Sequence, residues 1–171
     1  MTMSIPESAF AEGRVSAIFV PTLGSDSAAI WNAGVQIGPF LMPDWDGATP
    51  TQNTGEQRRF STRQAFTRLG RTSWAIAPLM YTYLPQKLGT AGNAGNKLYE
   101  ALKEGNKGFV GMFYDVVPGT TLQANDLGDV LPVECGVQGK NARGTDEFSP
   151  LTVTQTLAVT GIVRQDVKLV A

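Results

Sequence analysis

Hydrophobic and polar positions alternate most strictly near the C-terminus. From Leu151 to Val159 the odd positions read Leu, Val, Gln, Leu, Val and the even ones Thr, Thr, Thr, Ala. Past Gly161, Val163, Gln165, Val167 and Leu169 alternate with Arg164, Asp166 and Lys168. Successive side chains of a strand leave opposite faces of a sheet, so this pattern predicts extended backbone with one dry face and one wet one. The parity survives Gly161. The segment is therefore either one long bent strand or two strands sharing a tight corner, and the fold should need it in its sheet.

The rest of the chain is read by the same rules. Residues 14–20 form a first strand ended by Pro21, and Ser25 or Asp26 caps one helical turn over 28–31, closed at Gly34. Residues 35–42 contain Pro39 and read as an edge or bulged strand. Residues 43–55 are dense in Asp, Asn, Pro, Gly and Thr, which predicts a long loop with no packed element. That loop carries Trp45 between Asp44 and Asp46, exposed as a contact for a partner or folded back as a lid on its own sheet. Another strand begins over 56–66, with a basic tail. Residues 72–84 are an apolar strand that should place Trp74, Ile76 and Met80 in the core, with Tyr81 or Tyr83. One helix is expected over 97–104, capped by Asn96, striped with Leu98, Tyr99, Ala101 and Leu102, and stopped at Gly105. A strand over 109–116, a loop over 118–128, a strand over 129–137 broken at Pro132, and a polar turn over 138–146 complete the chain. The sum is seven or eight strands with one flanking α-helix, a long inter-strand loop and an N-terminal arm: a mainly β protein, sandwich or barrel. Residues 14–171 form a single domain. Residues 1–13 form an arm whose spaced Ile5 and Phe10 dock on a neighbour or belong to a disordered tail.

Charge narrows the functional classes. The net charge of −1 argues against a chain built to grip nucleic acid nonspecifically. Charged residues make up only 17% of the chain, below the quarter or so typical of a soluble monomer, and a subunit covered by neighbours tolerates that. Arg58, Arg59, Arg63, Arg68 and Arg71 form a basic cluster, while Asp115, Asp126, Asp129, Glu134, Asp146 and Glu147 lie later. This separation suits head-to-tail pairing of identical subunits, with plain solvated charge or phosphate binding as alternatives. The chain has no histidine, which removes the commonest general base, the Ser-His and Cys-His nucleophile systems and the usual zinc sites. Cys135 is the only cysteine and reads as a small core residue rather than a nucleophile. Glycine-containing turns around the helix match neither a P-loop nor a dinucleotide fingerprint. No cofactor, metal or enzymatic activity is expected. No apolar run is long enough to span a membrane, and no secretion signal is visible.

Three stretches carry a resemblance: Trp31-Asn32-Ala33-Gly34-Val35; Leu98-Tyr99-Glu100-Ala101-Leu102-Lys103-Glu104-Gly105 leading into Phe109-Val110; and Val153-Thr154-Gln155-Thr156-Leu157-Ala158-Val159-Thr160-Gly161 followed by Val167-Lys168-Leu169-Val170-Ala171. In order and spacing the chain resembles the tail tube (major tail) proteins of long-tailed, siphovirus-type bacteriophages, especially the actinobacterial phage group. The resemblance implies a β-sandwich with one helix, six copies to a ring, and rings stacked into a hollow tube that passes genome DNA without binding it specifically. It also implies self-association and contact with the tape measure, tail terminator and distal tail proteins, in a virion tail assembled in the host cytoplasm. Contacts between rings or subunits would then fall on Ile5, Phe10, Asp44, Trp45, Asp46, Arg58, Arg59, Arg63 and Arg68. The tube of a contractile tail or injection apparatus, and a small-ligand-binding β-barrel, are the alternatives.

Overall fold

A computed structural model describes residues 14–42, 45–57, 66–85, 94–141 and 150–171. They form nine strands and two short α-helices: β1 (Val15–Val20), α1 (Ala28–Asn32), β2 (Val35–Gln36), β3 (Ala48–Gln57), β4 (Phe66–Ile76), β5 (Leu79–Thr82), α2 (Ala94–Ala101), β6 (Lys107–Tyr114), β7 (Leu127–Asn141), β8 (Thr152–Val159) and β9 (Arg164–Lys168). All strand pairs are antiparallel.

Seven strands make one sheet in the order β2-β1-β6-β7-β8-β5, with β9 also on β7. The sheet curls. β2 pairs with β1 at one edge, and five residues past β2 Leu41 bridges Tyr81 in β5 at the other, with Met42 N–H donating to Met80 O at 2.8 Å. One short segment thus touches both edges, and a 3-10 turn at Gly38–Phe40 steers it across. The expected strand over 35–42 is therefore only two residues long, because Pro39 withholds a donor and turns the chain.

Alternation along β1, β6 and β7 feeds two cores. Phe19, Val110, Met112, Leu131 and Val133 face the inside of the curl with Tyr81, Leu98, Leu102 and Leu157. Ile18, Val20, Phe113 and Val130 face the other side, where α1 and the tail close over them with Trp31 and Leu169. Trp31 meets Phe113 edge-on at 5.4 Å. Gly111 lies beneath it, where a Cβ would come within 2.6 Å of the indole. Leu169 is 2% exposed, and Ala28 N–H donates to Val170 O, so the tail is built into the second core.

The C-terminal alternation resolves into two strands laid end to end along one side of β7. β8 pairs with residues 133–141 and β9 with 127–130. The break falls opposite Pro132, which has no N–H to offer the ladder. Thr160 N–H donates to Pro132 O at 3.0 Å, and a Cβ on Gly161 would stand 2.9 Å from the proline ring. Pro132 thus interrupts its partner rather than its own strand, and β7 runs unbroken for 15 residues.

Other boundaries shift for identifiable reasons. The cap of α1 is Ser27, whose hydroxyl accepts from Ala29 N–H at 3.2 Å, not Ser25 or Asp26. α2 begins earlier than expected, and Asn96 lies inside it, 3% exposed, accepting from Leu84 N–H at 3.2 Å. β6 stops at Tyr114 because Asp115 takes φ +60°. Met80 is 43% exposed, whereas Leu79, Tyr81 and Tyr83 are buried.

Candidate assembly surfaces

The expected loop over 43–55 is mostly strand. Ala48–Gln57 pairs with β4 from Ala48↔Ile76 to Gln57↔Phe66, with an irregularity between Gln52 and Thr54. Only the root of this ribbon is packed: Ile76 is 5% exposed, and Trp74 and Ala48 rest on the inner core. From Thr49 to Glu56 on one strand, and from Thr67 to Ser73 on the other, every residue is exposed. Leu69 is 72% exposed. An isolated two-stranded hairpin is at best marginally stable in water, and among the described residues no layer covers this ribbon beyond its root.

Trp45 does not stand out into solvent. Its ring packs against the inner core, and Nε1–H donates to Ala77 O at 3.0 Å, fixing the root of the ribbon. This is the lid arrangement. Neighbouring Asp46 is exposed. Arg68 is exposed on β4, opposite Gly55, and Arg71 is exposed three residues on. Ile5, Phe10, Asp44, Arg58, Arg59 and Arg63 lie outside the described residues, as do Asp146 and Glu147.

Much of the later acidic set is engaged within the chain. Asp129 is 8% exposed and accepts from Tyr114 O–H at 3.1 Å and Asp166 N–H at 3.0 Å. Burial and that carboxylate push the Tyr114 phenol up to about 12. Asp115 pairs with Arg14 and Glu134 with Lys107 at 3.4 Å; outside that set, Asp26 accepts a bidentate pair from Arg164 at 2.8 Å. The broad acidic surface suggested by sequence is thus partly neutralised by local partners, which lie too far apart in sequence to be read there.

Cys135 is 2% exposed, and burial pushes its thiol up to about 11, so it is a neutral core group at physiological pH. It lies beneath a shallow depression of about 380 Å³ lined by Glu104, Glu134, Val137 and Thr156 among others. No group of three or more potential metal ligands occurs among the described residues. None of their helices is long and apolar enough to cross a membrane.

Sequence reasoning missed the ribbon itself and a buried polar network between β5, β7, β8 and the end of α2. Tyr81 O–H donates to Gln155 Oε1 at 3.0 Å, and Gln155 Nε2 donates to Leu102 O at 2.6 Å and Gly136 O at 2.8 Å. Gln138 Nε2 donates to the Tyr81 oxygen at 2.8 Å and to Tyr99 O at 2.9 Å. The signal was present as a glutamine on the dry parity of β8.

The profile of a family described as "Phage tail tube protein" matches residues 2–171. The fold is similar to that of a chain in the cryo-EM structure of the anti-feeding prophage (AFP) baseplate, 6-fold symmetrised, with a TM-score of 0.56 and 11% identity over 95% of this chain and 98% of that one. Among curated proteins, none matches the chain.

Proposed function

The chain belongs to the phage tail tube protein family and is a structural protein of a phage tail; from that premise we propose that it is the repeating subunit of the tube itself. Six copies close into a ring, rings stack into a hollow cylinder, and genome DNA passes through at ejection. The observation that carries this reading is the β3–β4 ribbon, a long paired arm whose described residues are exposed on both strands beyond its root. A second copy supplies the missing layer, because identical subunits in a ring present the same acceptor surface at every interface. Six-fold closure is supported by the symmetry of the assembly that holds the similar AFP chain.

The ribbon, together with Asp46, Arg68 and the basic 58–63 stretch, then reaches the adjacent ring. Ile5 and Phe10 in the 1–13 arm add a second tether. The tube ends meet the tape measure, terminator and distal tail proteins, and assembly takes place in the host cytoplasm. A long flexible tail of siphovirus type is the leading architecture. The tube of a contractile tail or injection apparatus is the second, favoured by the fold similarity to a baseplate chain.

Negative-stain electron microscopy of the concentrated protein, with sizing chromatography beside it, tests the proposal. Hollow tubes or six-fold rings are expected. A sample that stays monomeric after prolonged concentration opposes self-assembly and favours a monomeric ligand-binding barrel. Deleting residues 1–13 should leave a folded chain that no longer polymerises, and a deletion that instead unfolds the chain removes the tether role.

A further inference from the structure

The β3–β4 ribbon changes register once. Gln52 pairs with Thr72 and Thr54 with Leu69, so Asn53 faces two residues, Gly70 and Arg71. This is a β-bulge on β4, and it reverses the face on which the following side chains stand. Ile76, Trp74 and Thr72 share one face. Regular alternation would continue it with Gly70 and Arg68, whereas the bulge continues it with Leu69 and Thr67. Gly70 permits the close approach, since a Cβ there would stand 3.0 Å from Asn53 O, and Gln52 Nε2 donates to Gly70 O at 3.4 Å. Leu69 is thus turned to the side on which Ile76 and Trp74 anchor the root, yet it is 72% exposed. From Ala48 to Thr54, its partner, the ribbon advances about 20 Å. The result is an apolar knob well clear of the root, with exposed Arg68 and Arg71 beside it.

Charge separates the arm from the body. Residues 48–76 hold five arginines and one glutamate, a net charge of +4, while the whole chain carries −1, so the remainder carries −5. The body also offers a matching concavity. The depression of about 380 Å³ over Cys135 is lined by Val137, Thr156 and Ala158, all exposed, between the carboxylates of Glu104 and Glu134. Lys107 lies 3.4 Å from Glu134, so two acids and one base leave this rim net negative.

Knob and depression are different surfaces, and both are bare within one copy. A contact between them is heterologous and repeats from copy to copy. We propose that Leu69 of one copy seats in the depression over Cys135 of the next, with Arg68 and Arg71 facing Glu104 and Glu134. This rests on the tube reading above and names the surface that receives the ribbon. Apolar contact holds the knob, and the opposed charges set which way the two copies meet.

Tubes of the unsubstituted chain are assembled first; if none form, the tube reading itself fails. Arg68→Glu with Arg71→Glu should then raise the concentration needed for tubes at least tenfold, read by pelleting and electron microscopy, with the melting temperature unchanged. Adding Glu104→Arg and Glu134→Arg to that chain should restore assembly to within about threefold of the original. Adding Asp46→Arg and Glu100→Arg instead gives the same net charge away from the depression and should restore nothing. Unimpaired tubes from the first variant, equal rescue at both places, or rescue at neither by folded chains would overturn the contact. Disulfide trapping decides the case in which Glu134→Arg disturbs β7. Tubes mixed from tagged Leu69→Cys chains and untagged Ala158→Cys chains should, on oxidation, yield tagged–untagged pairs at least fivefold above tubes of Leu69→Cys alone, where buried Cys135 is the other thiol. Intact mixed tubes without such pairs would place the ribbon on another surface, of this chain or of another tail protein.

Discussion

Gln155 shows how a single residue reconciles a dry strand face with irregular backbone nearby. Leu102 O lies just past the end of α2, and Gly136 O sits in the β7 irregularity between Cys135 and Gln138, so both carbonyls are displaced from regular ladders. The glutamine amide serves both while its oxygen receives Tyr81. Replacing it with leucine keeps the volume but leaves two carbonyls and a phenol short of partners. Gln155→Leu should therefore cost about 2–3 kcal/mol, read as a lowered urea midpoint with unchanged slope. The same network sets an alkaline limit. Burial pushes Tyr81 up to about 12, so its contribution is complete below the unfolded pKa near 10 and is lost as pH rises from there through 12. Two units correspond to about 2.7 kcal/mol at most. Tyrosinate absorbance followed with circular dichroism should show ionisation and unfolding together in that window. Tyr81→Phe should move the unfolding step to higher pH relative to its own neutral-pH stability.

Individual elements differ in how far their sequence revealed them. β8 was legible because an apolar core lies under every second residue, and Val153 and Leu157 are 0% and 3% exposed. Leu157→Asp should accordingly abolish folding, checked by loss of the cooperative unfolding transition. The β3–β4 ribbon was illegible for the converse reason. With its described residues exposed on both faces beyond the root there is no period-two apolar signal, and Pro50, Asn53 and Gly55 mimic a loop in composition. Met80 was misplaced because the chain resets its parity at Ala77-Pro78: Trp74 and Ile76 face inward before it, and Leu79 and Tyr81 after it. The candidate site fared similarly. Trp45 was conspicuous, but whether it turned in or out depended on Ala77 O, a partner 32 residues away. At the β8–β9 corner the sequence kept its parity, although nothing local revealed Pro132 as the cause of the break. Gly161→Ala should cost about 1–3 kcal/mol by pressing on that ring, seen as a drop in Tm, whereas a methyl added at the open Gly24 should not.

For the whole molecule, the decisive property is that a well-packed body carries an arm it does not use. Thr51 and Ser73 are cross-strand partners, so replacing residues 52–72 with a two-residue Asn-Gly turn closes the ribbon without touching its root. This truncation should melt within a few degrees of the full chain yet form no tubes by electron microscopy. A variant that fails to fold would instead make the ribbon part of the body. The bare ribbon also has a kinetic consequence for assembly. Its ordering entropy is lost when it docks, and two free copies must both bear that loss for a single shared interface. A copy joining a finished ring meets a surface already in place and gains several interfaces at once. Polymerisation should then show a lag and a critical concentration, and sheared tube fragments should abolish the lag in a light-scattering trace. A subunit of this design stays soluble below that concentration and elongates rapidly once a first ring has formed.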